Sequence, residues 1–408
     1  MSGRRGIIPT TRSVTELYER YPFPHSRVLP ERLPAIFCLD ELFLGLGSRA
    51  ELAGARVLDI GCGTGEATLS CARAFPEMHF VGVDLSTRAL EAAIELARAH
   101  GIENTTFTEG DAMSPATLPA GPFDAAVARG SIHHFADPVE GLRNVVRALR
   151  PGGMLAMALY NPHGRRDWER LRRAMSLLNA GPDEEGVAMT RSLIELFSDG
   201  PRSFLAYPFF GMDSFVTDSF LHPNLHEFEL DTVAPLLDGA GLIMRRVLLN
   251  DWETPHQATE DPRQSYVLPE HFPAQVQERL GALPQAQRDR FMELLLRPSL
   301  FQVYAQRPPV TEARPVEDPS SHRPLRASFV RLKTISERDA PARYEVVLPR
   351  ERTEVEDRDY HFLEAATGKL NCIELATDIY GEKQAKSALN RVSDWARNGW
   401  LYLLPPIN

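Results

Sequence analysis

Cysteine is scarce in this sequence: four among 408 residues, Cys38, Cys62, Cys71 and Cys372. Their spacing matches no metal-ligand pattern, so neither a zinc site nor a disulfide framework is expected, and no metal is. No apolar run approaches the length of a membrane span, and the opening MSGRRGIIPTTRS is too polar for a secretory signal. The expected compartment is therefore the cytoplasm. An excess of positive charge is also lacking, since 45 Lys and Arg face 55 Asp and Glu for a net charge of −10. That balance argues against nucleic acid or anionic lipid as a partner and leaves small molecules and proteins. What remains is an ordinary globular composition over a length that suits two or three domains.

The most informative stretch is RVLDIGCGTGEATLSCARAFPEMHFVGVD, from Arg56 to Asp84. Val57, Leu58 and Ile60 form a short apolar strand, Gly61, Gly63 and Gly65 a tight loop, Glu66 to Phe75 a helix, and Phe80 to Val83 a second strand that ends on Asp84. This is a βαβ nucleotide-binding unit, in which backbone can approach a ligand and the terminal acid can accept both hydroxyls of a ribose. A dinucleotide fingerprint would place pyrophosphate at the start of the helix, where this chain carries Glu66. A carboxylate there repels phosphate, which disfavours a nicotinamide-dependent oxidoreductase.

With Asp59, Gly61, Gly63 and Gly65 in order, the stretch resembles the first motif, D-x-G-x-G-x-G, of the class I S-adenosylmethionine (SAM)-dependent methyltransferases. Three later segments resemble that family too: Asp111 after the third strand, Ser131-Ile132-His133-His134 after the fourth, and Leu149-Arg150-Pro151-Gly152-Gly153 before the fifth. The resemblance implies SAM as cofactor. It places Asp59, Gly61, Gly63, Gly65, Asp84, Leu85, Asp111, Ala112 and Arg129 around that cofactor, with Asp111 on the adenine amino group. An aromatic Y-x-x-Y-P-F-P segment from Tyr18 to Pro24 is similar to a lid that precedes the fold in some members. Read from its residues, it is equally an arm packed on the core, and its prolines predict an extended, poorly helical path after a flexible lead-in over 1–15.

Methyl transfer from a sulfonium is an in-line displacement, so alignment and exclusion of water matter most, and a base helps when the acceptor is an amine or hydroxyl. Candidate catalytic residues are His133, His134, Tyr160 and His222, and candidate substrate contacts are Tyr18, Tyr21, Arg165 and His226. Each histidine has a structural alternative as a buried hydrogen-bonding group. The pair His222 and His226 has helical metal-ligand spacing, but Pro223 breaks such a helix.

A helical insertion, predicted over 167–180 and 191–197, suits a substrate cap, and 231–240 and 242–249 read as the helix and strand that close the SAM fold. Pro273 to Leu296 reads as helical and Phe301 to Ala305 as a further short strand. The proline-rich, aperiodic stretch 307–324 is the expected linker. Beyond it, β-like runs at 328–332 and 344–348, helices at 361–366, 372–380 and 386–398 and a strand at 401–403 outline a small α+β winged-helix-like module. It weakly resembles accessory domains of bacterial protein methyltransferases.

The expectation is an α/β protein: an N-terminal arm or lid over 1–30, a Rossmann-like SAM domain over 31–306 with a cap around 160–230, the linker, and the accessory domain over 325–408. It would methylate an N or O acceptor on a small biosynthetic intermediate. Alternatives are a protein or peptide methyltransferase whose C-terminal domain docks the substrate, or a SAM-binding regulator without turnover. A homodimer through the C-terminal domain is a further possibility; its balanced charge does not suit DNA.

Overall fold

The computed structural model describes residues 9–23, 29, 54–198, 211–249, 272–310, 318–326, 331–335, 341–347, 352–397 and 400–404. The sequence of 33–46 reads as a helix, but that stretch, Cys38 and most of the run 328–332 lie outside the described residues. The chain divides into two units. Met1–Phe37, Ala53–Ser265 and Arg279–Val310 belong to the first, and Cys38–Leu52, Tyr266–Glu278 and Thr311–Asn408 to the second.

The first unit opens with helix α1, Pro9–Arg20. This corrects the expectation of a flexible lead-in over 9–15 and of a non-helical path at Tyr18, whereas 1–8 lie outside the described residues and Tyr21 to Phe23 lie beyond the helix. Val14, Leu17, Tyr18 and Tyr21 recur at helical spacing, Val14 and Leu17 are buried, and the proline stands at the first helical position, where its missing N–H costs nothing.

The βαβ unit follows as β1 Arg56–Ile60, α2 Glu66–Ala74 and β2 His79–Asp84. Next come α3 Thr87–Ala99, capped by Ser86, and β3 Thr105–Glu109. β4 spans Phe123–Arg129, α4 Pro138–Ala148 and β5 Leu149–Tyr160. The turn expected at Arg150 to Gly153 is instead an irregularity within β5. Leu149 pairs with Phe123 but Met154 already pairs with Ala125, so five residues of β5 advance where β4 advances two. Such a bulge bends the strand without ending it.

The cap comprises α5 Pro162–Leu177, α6 Glu184–Ser198 and α7 Asp213–Phe220, packed through Trp168, Met175, Val187, Phe215 and Phe220. α8 Leu230–Ala240 and β6 Ile243–Leu248 follow. The single helical piece expected between Pro273 and Leu296 is two helices, α9 Ala274–Gly281 and α10 Gln285–Leu296, divided at Pro284. β7 is Leu300–Gln306.

The seven strands form one sheet in the order β3-β2-β1-β4-β5-β7-β6. The first five run parallel, and β7 is antiparallel to both β5 and β6. The strand after α8 therefore forms the edge, and the short strand at the end of the unit inserts inside it. Every residue of β7 is buried, and its partners on both sides explain why: an apolar run covered on both faces belongs within a sheet. Phe123, Leu142, Val145, Leu155, Val233 and Phe301 are among the residues of the main core, between the sheet and the α4–α8 layer.

In the second unit, β9 Arg331–Ile335, β10 Arg343–Val347 and β11 Arg352–Val355 make an antiparallel sheet, while β8 Arg323–Arg326 pairs with the terminal β12 Leu401–Leu404. α11 Asp357–Ala365, α12 Cys372–Tyr380 and α13 Glu382–Arg397 bury Phe362, Leu375, Val392, Trp395 and Trp400 in a core of their own.

Candidate functional site

The carboxyl ends of β1 to β5 surround a cavity of about 420 Å³. Its first wall is the glycine loop. Gly61 has φ of 72°, and a Cβ there would lie 2.5 Å from Ser131 Cβ, so neither the backbone nor the space admits a side chain. The Gly63 N–H donates to Asp84 Oδ2 at 2.8 Å and the Ser86 N–H to Asp84 Oδ1 at 2.9 Å, which ties the loop to the end of β2. Burial pushes the Asp84 carboxyl above its ordinary value, opposed by the backbone hydrogen bonds from Ser86, Gly63 and Leu85.

Asp59, Leu85, Asp111, Ala112 and Arg129 line the same cavity. Asp59 Oδ2 accepts from Thr68 and pairs with the Arg129 guanidinium, while Asp59 Oδ1 is a buried acceptor without a hydrogen-bond donor among the described residues. Burial also raises the half-exposed Asp111, whose Oδ1 accepts the Met113 N–H. Of the residues expected around the cofactor, only Gly65 does not line the cavity. It starts α2 with φ of 82°, where a Cβ would press within 2.7 Å of Ala93 Cβ.

A second part of the lining is built from four distant parts of the chain. Tyr18 from α1, His134 from the turn after β4, Tyr160 from the end of β5 and Asp218 from α7 all line the cavity. Asp218 accepts the Tyr18 hydroxyl at 2.6 Å on Oδ1 and the Tyr160 hydroxyl at 3.1 Å on Oδ2. Its burial would raise the carboxyl, but His134, His222 and the Tyr18 hydrogen bond outweigh that and hold it well below the usual carboxylate range. Tyr18 is pushed up by burial and by the same carboxylate.

His134 Nδ1 lies 3.0 Å from the Asn224 carbonyl oxygen, so that nitrogen carries its hydrogen. Nε2 is buried without a hydrogen-bond partner among the described residues, 3.4 Å from Asp218 Oδ1.

The other expected residues lie behind this wall and do not line the cavity. His222 stacks on His134 at 3.7 Å between ring centres, and His133 stacks on Tyr160 at 3.6 Å. Both rings are held well below the ordinary histidine value, first by burial and then by the neighbouring His134. The Arg165 guanidinium sits 3.5 Å from the centre of the Tyr160 ring, His226 Nε2 pairs with the Phe135 carbonyl, and Tyr21 packs on the cap core. Asp218 was the residue that sequence reasoning missed. The one signal was a short stretch, Asp213–Phe220, that carries this acid along with Phe215, Val216 and Phe220.

Fold and site together define a nucleotide-cofactor-binding fold: an open sheet with its seventh strand reversed, a glycine loop, and an acid at the end of β2. The family model described as "Methyltransferase domain" matches residues 51–191. O-methyltransferase rstn1 of Aspergillus nomiae is 32% identical over 197 residues, covering 44% of this chain and 85% of that protein. The ubiquinone biosynthesis O-methyltransferase of Xanthomonas oryzae pv. oryzae is 34% identical over 119 residues, covering 28% of this chain and 47% of the relative. An uncharacterized protein of Synechococcus is 29% identical over 255 residues, 57% of this chain and 58% of its own length. The chain thus spans about half the length of these last two curated relatives. PKMT2 from Rickettsia typhi in complex with AdoHcy shares the fold, with a TM-score of 0.60 at 16% identity over 94% of this chain and 77% of that one.

The chain belongs to the class I SAM-dependent methyltransferases.

Proposed function

We propose that the protein transfers a methyl group from SAM to an oxygen or nitrogen of a small, largely apolar biosynthetic intermediate. The observation that carries this is one cavity running from the acids Asp84 and Asp111 to the His134 and Asp218 wall. The donor set fits SAM. Asp84 suits the ribose hydroxyls, Asp111 the adenine amino group, and the open acceptor Asp59 Oδ1 suits an ammonium. Glu66, which also lines the cavity, opposes a phosphate there.

Bound SAM supplies a methyl carbon on a sulfonium. The protein's own part is to close the site and manage one proton. Val14, Phe23, Phe215 and Leu300 give the acceptor end apolar walls, which exclude water. His134 lines that end, and His133 and His222 support the wall from behind. Among relatives, a 27-O-demethylrifamycin SV methyltransferase and a demethylmenaquinone methyltransferase add to the quinone-pathway and O-methyltransferase names, which favours a small acceptor over a peptide.

The test is calorimetry with SAM followed by transfer of labelled methyl to separate panels of small hydroxyl and amine compounds, and of peptides. Binding of SAM with label on small compounds is the expected result. Label confined to peptides would replace this reading with a peptide methyltransferase. SAM binding with no turnover and a specific DNA shift would replace it with a regulator.

A further inference from the structure

We infer that Tyr18 and Tyr160 select the acceptor by its hydrogen: Asp218 takes both of their hydroxyl hydrogens, so these two groups can only accept hydrogen bonds and recognise an acceptor whose reacting oxygen or nitrogen still carries a hydrogen. The inference rests on the small-acceptor reading above.

The polarity of this wall follows from the carboxylate. An ionised carboxylate only accepts, so the partner of each of its oxygens has to be the donor. Burial would raise the Asp218 carboxyl, but His134, His222 and the Tyr18 hydrogen bond hold it well below the usual range, and it is ionised. Oδ1 therefore takes the Tyr18 hydrogen at 2.6 Å and Oδ2 the Tyr160 hydrogen at 3.1 Å. A tyrosine hydroxyl has one hydrogen to give, so what each oxygen has left to offer a ligand is a lone pair.

The packing of Tyr160 determines which part of it meets the cavity. His133 stacks 3.6 Å from its ring centre, and the Arg165 guanidinium carbon lies 3.5 Å from the same centre. Two groups cannot share one face of a ring at those distances, so they cover opposite faces. The Tyr160 carbonyl accepts the Phe228 N–H, and its backbone pairs with Leu300 of β7. Tyr160 nevertheless lines the cavity, while His133 and Arg165 do not. The edge that carries the hydroxyl is thus the part presented. Tyr18 from α1 and Asp218 from α7 line the cavity too, and the three side chains meet at one carboxylate.

A hydroxyl or amine can donate to either tyrosine oxygen. A methyl ether or a carbonyl has no hydrogen to give and sets lone pair against lone pair, which leaves a polar group unanswered. The wall so distinguishes a free hydroxyl from its own methyl ether. It also leaves the acceptor's nucleophilic lone pair without a hydrogen bond from either tyrosine.

Phenol and anisole, its methyl ether, are the probes, titrated by NMR into the full chain saturated with the demethylated product of SAM. Phenol should bind the wild type roughly tenfold more tightly than anisole. The double variant Tyr18→Phe with Tyr160→Phe lacks both oxygens, and there the two probes should bind within about twofold of each other. Asp218→Asn puts a donor against one tyrosine and frees that hydroxyl's hydrogen, so anisole should bind roughly threefold more tightly than it does to the wild type. Lost packing alone would weaken both probes alike. Equal binding of the probes by the wild type, binding of neither, or an undiminished preference in the double variant overturns the inference. Should the double variant not fold, Tyr160→Phe decides in its place, and a preference that does not fall overturns it. Transfer of label to small compounds is a separate measurement: label on them with equal binding of the probes leaves the small-acceptor reading standing, whereas label confined to peptides removes that reading itself.

Discussion

Replacing Asp84 by alanine tests the cofactor end of the site most directly. A carboxylate accepting a hydrogen bond contributes about 1.5–3 kcal/mol, so two ribose hydroxyls set a ceiling of about 3–6 kcal/mol. The structure lowers that ceiling, because the two oxygens already accept Gly63 and Ser86 N–H groups at 2.8 and 2.9 Å. A loss of about 2–3 kcal/mol remains, or roughly thirty- to 150-fold weaker SAM binding by calorimetry. The pH dependence supplies a second check. The folded protein holds Asp84 above the ordinary carboxylate value, so protonation sets in at a higher pH than for a free aspartate. SAM affinity should decline as pH falls through that raised value, and Asp84→Ala should lack this limb. The linkage for the free protein has the opposite sign: folding disfavours the ionised form, so the contribution of Asp84 to stability rises as pH falls. Unchanged affinity in Asp84→Ala, with its fold shown intact by circular dichroism, would refute the placement of the ribose.

Three further outcomes follow from packing. Gly61→Ala should lower thermal stability by about 1–3 kcal/mol and weaken SAM, because φ of 72° and the contact with Ser131 leave no room for a methyl; an unaltered melting curve would contradict this. Glu293→Ala should cost about 3 kcal/mol in chemical denaturation with little effect on SAM affinity. Glu293 is fully buried, pairs with Arg290, and accepts from Asn161 and from the Leu230 N–H at the start of α8, so its removal leaves several donors unanswered. A chain ending at Val310, where the first unit ends, should still bind SAM within about threefold of the full chain, since every cavity residue precedes that point. Insolubility or loss of SAM binding would mean that the later residues belong with the catalytic unit.

The glycine-loop end of the cavity was legible in the sequence because its determinants are local. Strand, glycine loop, helix, strand and acid lie within Arg56 to Asp84, and a loop that turns so sharply demands glycine at fixed places. Asp111 and Arg129 were added through the family resemblance, and both line the cavity because parallel strands deliver their carboxyl ends to one edge. The acceptor end has no such economy. Tyr18 and Asp218 are 200 residues apart, and Asp218 and Tyr160 are 58 apart, so nothing in their spacing announces a shared site. Adjacent His133 and His134 looked equivalent in sequence. Only the turn after β4 decides that His134 faces the cavity while His133 stacks behind Tyr160. The position of β7 is a tertiary matter for the same reason: its apolar run fixes that it is buried, but pairing with β5 on one side and β6 on the other depends on strands distant in the chain. Local backbone geometry and strand polarity were thus written in short stretches of sequence, whereas the partners of a buried acid were settled only when α1, α7 and the sheet met around it.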